Sequence, residues 1–144
     1  MKRCLVIHGP NLNLLGTREE SIYGKIELSE INEKLLERGR LLNLEVSTKQ
    51  SNHEGEIVTW IQEASGFAHG LIINPAAYSH TSIAIRDALT AINIPTIEIH
   101  MTNIFSRESF RRKSLIADVV QGRIEGFGWR GYIYGLDAIS DLIN

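Results

Sequence analysis

The chain has 144 residues, 43% of them hydrophobic and 22% charged, with a formal net charge of −2. That length suits a single domain, residues 1–144, able to bury one core of ordinary size and leaving no room for a second. Basic residues are scattered except at 105–113, which excludes broad phosphate-backbone binding and so a nucleic-acid partner. No apolar run approaches the roughly 18 residues of a membrane span, and Met-Lys-Arg leads directly into a strand-like segment, so a cytoplasmic protein is expected. The one thiol, Cys4, can form no intramolecular disulfide; inside an apolar run it reads as a small buried hydrophobe.

In chain order, residues 3–8 read as a strand and 29–42 as a helix with Ile31, Leu35, Leu36 and Leu42 on its apolar face. Ser29 is the expected N-cap and Asn43 the expected left-handed terminator. Gly39 within that helix costs about 1 kcal/mol relative to Ala. Residues 44–49 form the second strand, and 54–65 a helix presenting Ile57, Trp60, Ile61 and Ala64. Leu71-Ile72-Ile73 lacks polar alternation, as a strand buried on both faces does. Residues 81–92 then present Ile85, Ala88, Leu89 and Ile92 from a helix. Residues 96–99 form a fourth strand after Pro95, 118–121 a fifth, and 132–143 a closing helix. Nothing repeats.

Alternating strands and helices imply right-handed crossovers and a parallel sheet covered on both faces. The expected fold is α/β, a flavodoxin-like doubly wound five-stranded parallel sheet in the order 2-1-3-4-5. Ligands in such sheets bind beyond the carboxyl ends of the strands, where strands one and three diverge. Those ends are polar here: His8-Gly9-Pro10-Asn11, Asn74-Pro75, and Glu98-Ile99-His100-Met101-Thr102-Asn103. The stretch after strand one, GPNLNLLGTREESIYG at residues 9–24, is far longer than the usual connection of about 4–6 residues and reads as a lid.

Several chemistries lack their motif. The first loop has neither G-x-G-x-x-G nor G-x-x-x-x-G-K-[ST], which disfavours nucleotide binding. His53-Glu54 starts like a zinc-protease helix, but Ile57 stands where the second histidine belongs, and no other metal-ligand spacing occurs. No lysine falls in an apolar setting suited to an imine, and no nucleophile elbow surrounds Ser79 or Ser82.

What remains is a set of polar side chains at the strand ends. Glu98 and His100 are two apart in a strand and share a face, so the carboxylate can orient the imidazole as a general acid. Alone, that pair reads first as a solvated or core-satisfied histidine at a strand end; Asn74 and the helix opened by Ser79-His80-Thr81-Ser82, with free amides suited to an anion or polar ligand, reverse that order in favour of a site. For His80 a capping role competes with ligand contact. Arg107 and Arg111, four apart, share a face on a helical turn and suit an anionic or polyhydroxylated small molecule, or else a solvated basic patch. A phenol ordinarily titrates near pH 10, so Tyr23 can serve as a base only with cations beside it. Arg18 in the same loop and Arg107 from the strand-four loop are the available ones.

The segments HGPNLNLLGTRE with YG, QSNHEGEIVTWI, IINPAAYSHTSIAIRDAL, IEIHMTNIFSRESFR and GYIYGL resemble the type II 3-dehydroquinate dehydratases, over essentially the whole chain and in the same order. The resemblance implies a flavodoxin-like homododecamer built as four trimers. It also implies cofactor-free anti elimination of water from 3-dehydroquinate to 3-dehydroshikimate, a step of the shikimate pathway. By position, Tyr23 matches the proton acceptor, His100 the proton donor, Arg18 the transition-state stabiliser, and Asn11 a residue holding a water near the enolate oxygen. Asn74, His80, Arg111 and the backbone at Met101-Thr102 match substrate contacts. Asp87 matches a contact from a neighbouring subunit, and Glu98 the partner of His100. Glu20 stands where most members have Pro, which frees the lid backbone, and Phe105 replaces a residue that is often His; neither position carries a chemical role. The competing readings are a flavin-binding or other small-molecule module on the same fold, and an inactive assembly scaffold.

Overall fold

The computed structural model describes residues 1–17 and 19–144. Five parallel strands, β1 (Lys2–His8), β2 (Leu44–Gln50), β3 (Gly70–Asn74), β4 (Thr96–His100) and β5 (Gly122–Glu125), lie in the order β2-β1-β3-β4-β5. The strand order is the one expected, with the order reversing between β1 and β3. A short helical turn α1 (Glu20–Tyr23) precedes α2 (Leu28–Leu41), α3 (Glu54–Ala64), α4 (Ile83–Ala91) and α5 (Arg130–Ile143).

Alternation along each strand divides the core in two. Cys4, Val6, Ile72, Ile97 and Ile99 pack on the side of α2 and α5 with Ile31, Leu35, Tyr132, Leu136 and Ile139. Leu5, Ile7, Leu71 and Ile73 pack on the side of α3 and α4 with Ile57, Ile61, Ile85 and Leu89. β1 and β3 carry continuous apolar runs as strands covered on both faces do, whereas β4, Thr-Ile-Glu-Ile-His, is buried throughout although its sequence alternates. Cys4 is fully buried, and burial pushes its thiol up to about 12, so it stays protonated and inert.

Local details differ from expectation where long-range contacts decide. Glu27, not Ser29, caps α2, in a reciprocal capping box with Glu30 that satisfies donors at both ends of the first turn. Asn43 does adopt the left-handed conformation, with φ 57°. Leu36 is 38% exposed, off the buried stripe, whereas Ile31, Leu35 and Gly39 lie on it. A Cβ on Gly39 would stand 2.5 Å from Val46 Cγ2, so the glycine is needed for the helix to lie against β2, and its helix-propensity cost is the cost of that approach.

The fifth strand is β5, four residues later than expected. The apolar pair Val119-Val120 packs on the α3/α4 side of the core within a turned segment, and Gln121 exchanges bonds with Thr96, its N–H reaching the Thr96 carbonyl and its Oε1 accepting from the Thr96 N–H. The ladder then runs Gly-Arg-Ile-Glu, an edge strand in which only Ile124 packs on the α5 side. Edge strands need no continuous apolar run. The last helix begins at Arg130, and α4 begins at Ile83, capped by Ser82 Oγ accepting from the Ile85 N–H at 2.9 Å. Among the described residues no helix is long and apolar enough to cross a membrane.

Candidate active site

The carboxyl ends of β1, β3 and β4 open into a cavity of about 380 Å³. Its walls are Pro10, Asn11, Leu12 and Leu14 after β1, Glu19 and Tyr23 of the long loop, Asn74, Ala76, Ala77 and His80 after β3, and His100, Met101, Thr102, Ile104, Arg107 and Arg111 from β4 onward. The loops after β1 and β3 meet backbone to backbone: the Gly9 N–H donates to the Asn74 carbonyl at 2.8 Å, and a Cβ on Gly9 would lie 2.6 Å from the Pro75 carbonyl oxygen. Only glycine fits there. Beyond it, the Asn11 N–H donates to Asn52 Oδ1 at 3.0 Å and Gln50 Nε2 donates to the Gly9 carbonyl at 3.2 Å, so side chains from the end of β2 hold the loop. Asn11 itself has φ 69°, a left-handed conformation that asparagine tolerates.

His100 and Glu98 are both buried, and His100 Nε2 lies 2.6 Å from Glu98 Oε2. The same carboxylate oxygen accepts from Ser114 Oγ at 2.8 Å. Burial by itself would raise the Glu98 carboxyl, but the His100 hydrogen bond and charge, the Ser114 hydroxyl and the Arg123 charge together hold it below the usual carboxylate range. An ionised Glu98 accepts from Nε2–H, which leaves Nδ1 as the nitrogen of His100 free to act on a bound molecule.

The long loop carries structure of its own, a 3-10 turn at Leu12–Leu14 and the helical turn α1. On α1, Tyr23 accepts a hydrogen bond from Arg107 Nη1 at 2.9 Å, and the guanidinium carbon lies 5.5 Å from its ring centroid. Arg18 lies outside the described residues. Arg107 and Arg111 do not share one helical turn as expected: Arg107 follows the turn Ile104–Ser106 and Arg111 ends the turn Ser109–Arg111. Both nonetheless reach the cavity, with Arg111 Nε 2.6 Å from Glu108 Oε2. His80 ends the 3-10 turn Ala76–His80 rather than opening α4, so it is not a helix cap. Its Nδ1 lies 2.7 Å from the Lys113 carbonyl, which can only accept, so Nδ1 carries the proton and Nε2 is free. Asp87 is exposed on α4 and does not line this cavity.

Behind Asn74 runs a buried chain that sequence reading did not find. Asn74 Nδ2 donates to Tyr132 Oη at 2.9 Å, the Tyr132 hydroxyl meets His8 Nδ1 at 2.9 Å, and His8 Nε2 meets Asn32 Oδ1 at 2.8 Å. Since Oδ1 only accepts, Nε2 is the protonated nitrogen, Nδ1 accepts from the tyrosine, and His8 is neutral. Asn74 Oδ1 in turn accepts from the N–H of Ala76 at 3.1 Å, supporting an alanine held at φ 51°. Burial lowers His8 from 6.5 to about 4, against an opposing contribution from its Asn32 bond.

Between pH 6.5 and about 4 the unfolded chain therefore binds a proton that the folded chain refuses, and stability falls as pH falls through that window. A shift of that size corresponds to about 3 kcal/mol lost by pH 4. Urea unfolding from pH 7 to 4 is expected to show this loss in the natural sequence and not in His8→Asn; parallel pH curves for the two would show that His8 titrates normally.

The sequence profile described as Dehydroquinase class II matches residues 2–140. The chain is 55% identical over 142 residues to a 3-dehydroquinate dehydratase of Synechocystis, covering 99% of this chain and 93% of that protein. It is 54% identical over 135 residues to the 3-dehydroquinate dehydratase of Acaryochloris marina, covering 94% and 91%. Its fold is that of the type II dehydroquinase crystal structure from Butyrivibrio crossotus, with a TM-score of 0.94, 45% identity and coverage of 96% and 97%. The corresponding enzyme from Propionibacterium acnes gives a TM-score of 0.95 at 41% identity, covering 98% and 97%. A parallel sheet with its cavity at the strand switch point, walled by an Arg-bound tyrosine and a Glu-bound histidine, defines a class of small-molecule enzyme. Within that class the chain belongs to the class II dehydroquinase family.

Proposed function

We infer that this chain is a type II 3-dehydroquinate dehydratase, a hydro-lyase converting 3-dehydroquinate to 3-dehydroshikimate in the shikimate pathway. The observation that carries the reading is the pairing of Tyr23 with Arg107 and of His100 with Glu98 on the walls of one cavity, in a chain matched to the family over nearly its full length.

The proposed mechanism uses one base and one acid. A proton α to the substrate ketone is acidified by its own carbonyl, so Tyr23 as phenolate removes it to give an enolate without a metal ion or an imine. The Arg107 hydrogen bond places positive charge at the phenol oxygen, and Arg18 is assigned to stabilise the same transition state. Asn11 is assigned to hold a water at the enolate oxygen. The enolate re-forms the ketone as the β carbon–oxygen bond breaks, and His100 delivers its Nδ1 proton to the departing hydroxyl from the opposite face, so that water leaves. Glu98 keeps the imidazole aligned. Asn74, His80, Arg111 and the backbone at Met101 and Thr102 contact the substrate's polar groups, and all line the cavity.

In this reading residues 1–144 are one catalytic domain working in the cytoplasm as a homododecamer of four trimers. The exposed position of Asp87 away from its own cavity suits a contact with a neighbour's substrate. The assay is direct: purified protein incubated with 3-dehydroquinate is expected to produce the ultraviolet absorbance of a conjugated enone, and sedimentation of the same sample to give twelve chains. Absence of enone formation by correctly folded protein would overturn the activity.

A further inference from the structure

Beside the acid pair the sheet carries a second pair of charges. In the β4–β5 register Glu98 stands opposite Arg123 and His100 opposite Glu125. Along β4 the carboxylate pairs with the imidazole at 2.6 Å, and along β5 Arg123 Nη2 donates to Glu125 Oε2 at 3.3 Å. Each charge thus has an opposite charge beside it on its own strand and another across the ladder, the arrangement that cross-strand pairing favours.

The Glu98–Arg123 contact is the unusual one. Glu98 spends Oε2 on His100 and Ser114, while Oε1 lies 3.5 Å from Arg123 Nε. Among the described residues these two, Glu98 Oε1 and Arg123 Nε, are the buried side-chain polar atoms without a hydrogen bond. A fully buried carboxylate keeps an otherwise unsatisfied oxygen facing a guanidinium that is itself only 24% exposed. Leaving such groups buried is costly unless their charges compensate each other.

Among the described residues, other elements bring no competing charge to Glu98. Ile73 of β3 lies opposite it in register, the 114–121 segment offers the neutral Ser114 hydroxyl, and Asp118 of that segment is engaged by Arg86 of α4. Among the described residues, the titratable and charged groups that line the cavity with His100 are Glu19 and Tyr23 of the long loop, His80 after β3, and Arg107 and Arg111 after β4.

We propose that Arg123 is a positioning residue for the reaction: it holds the carboxylate oxygen of Glu98 that His100 leaves free, and its charge sets how readily the imidazolium surrenders its proton. The role rests on the dehydratase reading only in assigning His100 as the acid. Removing a cation beside the Glu98–His100 pair favours the more protonated pair, so the pair should lose its proton at higher pH and donate less readily. Removing Glu125 should act with the opposite sign, by freeing Arg123 for Glu98 and deleting a negative charge.

The test follows the His100 imidazole of the full-length protein by NMR through a pH titration, which needs no substrate, alongside the pH dependence of 3-dehydroquinate turnover. Arg123→Met is expected to raise the midpoint of proton loss by roughly half to one pH unit, an effect belonging to the coupled pair. Arg123→Lys should restore most of the original midpoint, and Glu125→Gln should lower it. The alkaline limb of turnover, where the protonated acid is lost, should move with the imidazole in each variant. An unchanged midpoint in folded Arg123→Met overturns the proposal, as does a Lys variant that behaves like Met. Should Arg123→Met not fold, the Lys and Glu125→Gln midpoints decide: a near-native value for the first with a downward shift for the second supports it, and no downward shift overturns it. Midpoints that move as expected in a protein without turnover would reject the dehydratase reading and keep the electrostatic role. Normal turnover with unmoved midpoints would do the reverse.

Discussion

Tyr23→Phe is expected to reduce turnover by about 10²–10⁴-fold, the range typical of a general base, while substrate binding is largely preserved. The change removes one oxygen and keeps the ring, so the packing of Tyr23 against its neighbours and its place beside the Arg107 guanidinium remain. Arg107→Ala should impair the same step, because Arg107 Nη1 donates to the phenol oxygen that takes the proton. Residues acting as a unit give non-additive losses. The double variant is therefore expected to be little worse than Tyr23→Phe alone, as measured by kcat in steady-state assays. A double variant slower by the product of the two single effects would assign Arg107 to substrate binding independent of the tyrosine. Near-normal turnover by Tyr23→Phe would show that another group is the base.

His100→Ala should cost turnover on a comparable scale, about 10²–10⁴-fold, by a different route. The proposed sequence separates proton removal by Tyr23 from proton delivery by His100, so without the acid the enolate can still form and return. Substrate incubated with His100→Ala in deuterated water is expected to exchange its α proton while water elimination is suppressed. Tyr23→Phe should suppress both. The buried Glu98 left behind retains Ser114 and Arg123 beside it, which favours a folded variant. If His100→Ala eliminated water at near-normal rate, the Glu98–His100 pair would be a structural contact beside the cavity and nothing more.

Short spacing made the site legible where a regular strand carries it, and failed for Arg107 and Arg111, whose four-residue spacing falls across two separate turns. Glu98 and His100 share a face because side chains in a strand repeat every second residue, and the structure brings them to 2.6 Å. Leu71-Ile72-Ile73 announced a strand covered on both sides because no alternate position is polar, and Asn43 announced the end of a helix because few other side chains accept a positive φ. The polar ends of β1, β3 and β4 located the cavity once a parallel order was inferred, since the handedness of crossovers leaves few alternatives.

Where spacing is long, the folded chain decides which residues meet. Arg107, 84 positions from Tyr23, was within reach of sequence reasoning because both loops leave the same end of the sheet, but His8 and Tyr132, 124 apart, are related by no local period. Gly39 is a defect by helix propensity alone, and only the packing of Val46 from the neighbouring strand where its Cβ would be gives it a purpose. Apolarity alone favours Val119-Val120 as the fifth strand, yet an edge strand takes its ladder partners on one side and can be Gly-Arg-Ile-Glu. Arg123 had no signal of its own in the sequence. Its meaning comes from register: pairing β5 with β4 sets a guanidinium opposite the buried carboxylate that orients His100, because strand pairing joins residues by position across the sheet and not by distance along the chain.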